Sequence, residues 1–388
     1  MRPVRLLAVA LLLSAGCAPG LPPLPLPRVA AIRSPRPQIR QLPWREVEHL
    51  PLYVGTEICA GGDVMLGSNL DTAWALVAQR LTGSATLLPD PDSLLAPLAP
   101  LVAEADIVLL NVEGAIGDGV SPGKCRPGST RCYQFRQNSA VAAALRRLLP
   151  VGAVVGNVAN NHARDAGAAG FEETVAHLAT AGVAVTGADT LARVLPLPSG
   201  DTVGVLGFST FTGGPDARDL EAVRRHVARA VARYGRVVVS VHMAAEGVGA
   251  QRTRDATEVF LGENRGNPVA FARAAVDAGA AIVFGHGPHV LRAIEWQGEA
   301  LVVYSLGNLV TYGPFSRVEP LNRGAVVCAL LDRRGRVVDG VVHSTIQVRP
   351  GVAFPDVTGR AATLIDSLSA LDFPTTGARL LDGRILRR

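Results

Sequence analysis

Apolar and polar positions along this chain follow two periods. From residue 57 onward, short apolar runs that suit buried strands alternate with stretches whose apolar residues recur at helical spacing. Strands are predicted at 57–62, 107–111, 153–156, 183–185, 203–208, 236–241 and 281–284. Helices are predicted at 94–104, 140–149, 171–181, 219–234 and 267–278. In the fourth of these helices Leu220, Val223, Val227 and Val231 share one face, with arginines opposite. Two hairpins are expected later: 292–296 with 300–304 around Gln297-Gly298, and 325–331 with 337–348 around 333–336. Strands and helices in this order predict a layered α/β domain. The last forty residues are less regular and read as a helical tail, and there is no internal repeat.

The N-terminus departs from this pattern. Arg2 and Arg5 precede the apolar run 6–13 and then Ser14-Ala15-Gly16-Cys17. A basic start, an apolar core and small residues at the cut describe an export signal, and the run is too short to span a bilayer permanently. Its ending resembles a bacterial lipoprotein signal, in which Cys17 is lipidated and leads the mature chain. The plainer alternative is an ordinary cleaved signal in which Cys17 has no role. Nine of the 27 prolines then fall between residues 17 and 51, as expected of a semi-extended spacer. The expected organisation is a signal at 1–17, a Pro-rich linker at 18–50, a folded domain at 51–350 and a C-terminal tail at 351–388. The expected location is outside the cytoplasm, on the membrane, facing the cell surface or periplasm.

Composition narrows the options. The chain has 388 residues, 48% hydrophobic and 18% charged, with a formal charge of +5. The basic excess is scattered, with no stripe interleaved with aromatics, which argues against nucleic acid as a partner. It mildly favours an anionic substrate or surface. Cys125 and Cys132 flank a polar turn, and in an exported chain a local disulfide is the natural reading. Cys59 and Cys328 lie in apolar runs and read as small buried hydrophobes, able to pair only if their strands are neighbours.

The candidate chemistry sits where the strands end. Asp63, then Asn111 and Glu113, then Asn160, Asn161 and His162, then His242, then His286 and His289 all follow the carboxyl ends of predicted strands. Sites in α/β sheets assemble at such ends. Mixed oxygen and imidazole donors without a thiolate cluster suit one or two ions of Mn, Fe or Zn. Taken singly, each residue has a plainer explanation. Asp63 could cap a helix, His162 and Asp165 could form a helix-start pair, and His242 could be a satisfied core histidine. Glu246 and Glu295 could be surface carboxylates. His49, His177, His226 and His343 have no motif around them and read as structural or solvated.

Five ordered motifs carry a family resemblance: Gly62-Asp-Val-Met-Leu-Gly67, Asn111-Val-Glu-Gly114, Ala159-Asn-Asn-His-Ala-Arg-Asp165, Val239-Ser-Val-His242 with Glu246, and Gly285-His-Gly-Pro-His289. Tyr304-Ser-Leu-Gly-Asn308 adds a sixth. Together they resemble the CapA-type capsule and poly-γ-glutamate synthesis proteins, themselves similar to calcineurin-like metallophosphoesterases, from Ile58 to about Thr311. The resemblance implies a layered β-sandwich with flanking helices, metallophosphoesterase-like. It implies one metal on Asp63, Glu113 and His289, and a second on Glu113 as bridge with Asn161, His242 and His286. His162 would donate a proton to a leaving group, oriented by Asp165. Asn111, Asn160, Glu246, Glu295 and Asn308 would contact substrate or support the ligands. The chain departs from the phosphoesterase pattern at Met65, where a histidine is usual, and at Glu113, where an aspartate is usual.

Three functions are then open. The first is an exported, lipid-tethered protein acting in synthesis, release or anchoring of an anionic polymer such as poly-γ-glutamate, beside a membrane-bound synthase. The second is a surface phosphoesterase, and the third is a binding module without catalysis that holds polymer or synthase.

Overall fold

A computed structural model describes residues 55–70, 72–83, 88–126, 132–197, 200–315 and 318–388. The expected signal, Cys17, the linker and His49 lie outside the described residues. In chain order the fold opens with β1 (Thr56–Met65), α1 (Thr72–Thr82), α2 (Pro91–Leu95), α3 (Ala99–Val102) and β2 (Ile107–Val112). A small ladder of β3 (Ala115–Ile116) and β4 (Arg136–Gln137) follows, then α4 (Ala140–Arg147), β5 (Ala153–Asn157), α5 (Gly167–Thr180) and β6 (Ala184–Thr186). The middle of the chain gives β7 (Arg193–Pro196), β8 (Thr202–Ser209), α6 (Leu220–Tyr234), β9 (Val237–His242) and the hairpin β10 (Val259–Phe260) and β11 (Glu263–Asn264). Next come α7 (Pro268–Asp277), β12 (Ile282–His286), β13 (Ile294–Gln297), β14 (Ala300–Val303) and β15 (Asn308–Thr311). The last elements are β16 (Arg323–Leu331), β17 (Val337–Val348), β18 (Val352–Pro355), α8 (Arg360–Asp372), β19 (Arg379–Leu381) and β20 (Arg384–Leu386).

The strands form two main sheets. A ten-stranded sheet runs β19-β20-β17-β16-β1-β2-β5-β6, with β15 on β1 and β18 on β17. A six-stranded sheet runs β13-β14-β12-β9-β8-β7. Alternation along each strand divides the apolar side chains between two faces. In β2, Ile107 and Leu109 face the second sheet, while Val108, Leu110 and Val112 face α2–α5. In β12, Ile282 and Phe284 point into the layer between the sheets, and Val283 packs on the side of α6 and α7. The result is the expected layered sandwich: helices, sheet, sheet, helices.

Local chemistry explains the helix boundaries. Asp219 caps α6 by accepting from Ala222 N–H at 2.9 Å, and Gly235 ends it at φ 73°. Asn267 caps α7 through the N–H groups of Val269 and Ala270, both at 3.0 Å, with Pro268 in the first turn. The helix expected at 94–104 is broken into α2, a 3₁₀ turn and α3, because Pro97 and Pro100 interrupt it.

The end of the chain corrects the sequence reading. Besides the helix α8, it adds β18, β19 and β20 to the large sheet. Ala361 and Ile365 of α8 lie fully buried in the core between the sheets. Residues 351–388 are therefore part of the domain. The cysteines also differ from expectation. Cys59 and Cys328 stand opposite each other in the antiparallel β1–β16 pair and are joined by a disulfide. The expected Cys125–Cys132 bond is formed as well.

The Cys59–Cys328 bond spans 269 residues and closes most of the domain into one loop. Replacing both by alanine should lower unfolding stability by about 2–5 kcal/mol. Urea denaturation of the variant against the oxidised wild type measures this.

Candidate metal centre

The polar residues of the strand ends meet in the seam between the two sheets, and the period of two explains why. Following Ile107 and Leu109, Asn111 and Glu113 fall on the inner face of the large sheet. Following Ile282 and Phe284, His286 falls on the inner face of the small one, and His242 follows Val238 and Ser240 in the same way. Asp63 needs a further device. Ile58 and Ala60 face inward, yet Val64 packs outward, so the phase of β1 changes between them. Against β2 the register of β1 shifts between Ala60 and Asp63, where β1 advances three residues while β2 advances two, and this bulge turns Asp63 inward. Gly62 permits it, since a Cβ there would sit 2.0 Å from the Gly307 carbonyl.

The second sheet contributes its pair in register, with His242 opposite His286. His289 follows through Gly287-Pro288. Gly287 has φ +109°, and a Cβ on it would lie 2.7 Å from the Met243 carbonyl. His289 itself stands at φ 57°, the left-handed region that costs a non-glycine residue about 1–3 kcal/mol. That backbone swings its ring over the seam.

There Asp63, Glu113 and His289 bring ligand atoms within 4.8 Å of one another. His289 Nδ1 is 3.0 Å from Asp63 Oδ2 and 3.1 Å from Asn308 Oδ1. Its Nε2 is 3.6 Å from Glu113 Oε1 and 3.8 Å from Glu246 Oε2. His286 Nδ1 is 3.7 Å from Asp63 Oδ1, and His242 Nε2 is 4.0 Å from Glu113 Oε1. Asn111 Nδ2 donates to Asp63 Oδ1 at 2.8 Å and contacts His242 Nδ1 at 3.1 Å, bridging the sheets. Asn160 Nδ2 in turn donates to Asn111 Oδ1 at 3.3 Å and to the Val112 carbonyl at 2.8 Å. One neighbour over, His162 Nδ1 lies 2.7 Å from Asp165 Oδ2.

These residues fit a divalent cation. Both ring nitrogens of His286, Nε2 of His242, Oε1 of Glu113 and Oδ1 of Asn161 are buried without a hydrogen-bond partner among the described residues. A buried polar atom left so costs about 1–3 kcal/mol, and a shared cation satisfies several at once. The charges agree. Burial, with Asp63 and Glu246 nearby, pushes Glu113 well above the usual carboxylate range, although His289 opposes it. Burial would raise Asp63 too, but the hydrogen bond and charge of His289, with His242 and His286, hold it well below that range. Burial drives His242 well below its ordinary value and His286 down to about 4. Burial opposes protonation of His289 as well, yet Glu113, Asp63 and Glu246 push it up to about 10. Without a cation, His289 is the positive charge that faces ionised Asp63.

Not every expected site residue gathers here. Glu295 is only 6% exposed, so it is neither a surface carboxylate nor part of the cluster. It accepts from Tyr304 Oη at 2.6 Å, Thr376 Oγ1 at 2.7 Å and Gln297 Nε2 at 2.8 Å, which locks the β13–β14 edge. His286 and His289 both approach Asp63, at 3.7 Å from Oδ1 and 3.0 Å from Oδ2. Met65 is buried, and its Sδ accepts from Gly67 N–H at 3.2 Å. Sequence reasoning also missed Arg265, which is 5% exposed, grips Glu246 and stacks 4.6 Å from the Phe211 ring centre. No motif surrounds it, and only its place after the β10–β11 hairpin assigns the role.

With the geometry in place, comparison with known proteins is informative. The chain matches the family described as bacterial capsule synthesis protein PGA_cap over residues 57–312, a span containing the whole cluster. The chain belongs to that family. It is 30% identical over 170 residues to the PGA biosynthesis protein CapA of Bacillus subtilis, covering 40% of this chain and 41% of that one. It is 28% identical over 230 residues to the capsule biosynthesis protein CapA of Bacillus anthracis, covering 54% and 52%. A probable polyglutamine synthesis accessory protein of Mycobacterium tuberculosis shares 28% over 293 residues, covering 65% and 73%. The chain thus spans about half the length of the Bacillus relatives. A 5'-nucleotidase precursor from Thermus thermophilus overlays with a TM-score of 0.37 at 13% identity, covering 83% of this chain and 59% of that one. Membership of PGA_cap makes the CapA-type resemblance a finding. It places the seam residues within the span that the family shares.

His286 and His289, shifted in opposite directions, give the metal-free PGA_cap domain a defined pH response. Between about pH 6.5 and 4 the unfolded chain binds a proton that His286 refuses, so stability falls as pH drops through this window. Between about pH 6.5 and 10 folded His289 keeps a proton that the unfolded chain releases, so stability falls as pH rises. Stability of chelator-treated protein should peak near neutrality, as urea midpoints across pH will show.

Proposed function

We propose that this PGA_cap protein is exported and acts, through divalent cations held in the seam, on an anionic capsule polymer of the poly-γ-glutamate type. The observation that carries this is the buried set of carboxylate and imidazole atoms without partners. Asp63, Glu113 and His289 would hold one cation. Glu113, Asn161, His242 and His286 would hold a second. When bound, such ions polarise a carbonyl or phosphoryl oxygen and lower the pKa of water.

The chain's own residues do the remaining work. Asn111 fixes one oxygen of Asp63 and the ring of His242 together. Asn308 Oδ1 meets His289 at the same Nδ1 that faces Asp63, and Arg265 holds Glu246 so that its other oxygen faces His289. Asp165 takes the Nδ1 hydrogen of His162, which leaves Nε2 to hold or give a proton at a leaving group. Two disulfides support a chain that matures outside the reducing cytoplasm. Cys17 would carry the lipid, and the linker 18–50 would lift the domain toward a membrane-bound synthase. The accessory role named for the mycobacterial relative supports such a partner.

A surface phosphoesterase is the second reading, favoured by the His162–Asp165 pair. Met65 weighs against it, since a thioether stands where that pattern has an imidazole and is a poor ligand for a hard divalent ion.

Deletion and complementation test the first reading. The wild-type gene should restore capsule polymer in amount and attachment. His286→Ala/His289→Ala should restore about ten-fold less. Normal polymer in the deletion strain would contradict the capsule role, and full rescue by the double variant would contradict a metal-dependent one.

A further inference from the structure

The segment between β3 and β4 returns to the seam beside His162, and its ends are joined by the Cys125–Cys132 bond. Both ends reach the same carboxylate. Lys124 Nζ lies 2.6 Å from Asp165 Oδ1 and donates to the Asn161 carbonyl at 3.2 Å. The Lys124 N–H donates to the Asp165 carbonyl at 3.0 Å. From the other end, Phe135 N–H donates to Asp165 Oδ2 at 2.6 Å. The Phe135 ring packs against the His162 imidazole, with centres 4.4 Å apart. Gln134 Oε1 accepts from Cys125 N–H at 3.0 Å and ties the two ends further.

Asp165 is fully buried, and its Oδ1 accepts no well-directed hydrogen bond among the described residues. The ammonium of Lys124 is therefore the group that compensates this oxygen. The other oxygen is shared by Phe135 N–H and His162 Nδ1.

We propose that Lys124 is a positioning residue for His162, and that the Cys125–Cys132 bond exists to keep it there. The inference rests on His162 being the proton carrier of the site. Lys124 anchors Asp165 so that Oδ2 points at Nδ1, and the hydrogen of the ring stays on that nitrogen. Nε2 is thereby kept open. The disulfide closes only a short loop, so its restraint acts locally, on Lys124 and Phe135, rather than on the whole chain. This separates its task from that of Cys59–Cys328.

The test reads the His162 tautomer directly, by nitrogen NMR of the histidine-labelled full chain. Wild type and Lys124→Arg should carry the hydrogen on Nδ1. Lys124→Met and Cys125→Ser/Cys132→Ser should each lose roughly two-fold or more of that Nδ1–H population. Circular dichroism and bound Mn²⁺ should stay as in wild type. A Lys124→Met chain that folds and keeps the wild-type tautomer overturns the proposal. A Lys124→Met chain that fails to fold, while Lys124→Arg folds, overturns it too, since the ion pair is then structural. Absence of Mn²⁺ from every sample, wild type included, would remove the metal reading, while the tautomer still decides the role of Lys124.

Discussion

The structure turns on the burial of two carboxylates, Asp63 and Glu113, between two sheets that are otherwise packed with valine, leucine and isoleucine. Removing such groups from water is expensive unless opposite charge and hydrogen bonds replace it. Much of the local architecture serves that replacement. The bulge in β1 before Asp63 aims its carboxylate, and the Gly62–Gly307 contact lets two backbones close on it. The left-handed turn at His289 brings a ring to face both acids. These features strain or thin the packing, and a site explains them where a core would not.

The same constraint links stability to function. When no cation is present, His289 offsets the charge of Asp63, and it does so only while protonated. His242 and His286, neutral because buried, are then left with free nitrogens pointing into the seam. Neutral imidazoles beside carboxylates are what a divalent ion requires. The outer residues have different tasks. Asn111 and Asn160 hold the ligands in register across the sheets, while Asp165 and Arg265 orient His162 and Glu246 at the rim.

Much of this was legible in the sequence, for identifiable reasons. Strand ends bearing Asp, Asn, Glu and His could be read because burial makes strands apolar and leaves their last residues chemically distinct. The runs Ile107 to Glu113 and Ile282 to His286 even carry the period of two that sends Asn111, Glu113 and His286 to one face. Three things escaped. The phase change before Asp63 leaves no mark in a pattern of apolar residues, since it depends on pairing with β2. The Cys59–Cys328 bond required knowing that β1 and β16 are neighbours across 269 residues. Glu295 looked like Glu246 in sequence, and only the contacts of β13 with Tyr304 and Thr376 separate an edge lock from a site residue.

The most direct measurement is the metal content of the purified full chain beside a Glu113→Gln variant, which keeps the side chain's shape but removes its charge. The account predicts one or two tightly bound transition-metal ions per wild-type chain and a clear loss in the variant. A wild-type chain that stays free of metal after exposure to Mn²⁺, Fe²⁺ and Zn²⁺ would contradict it. So would a variant that binds as much metal as the wild type.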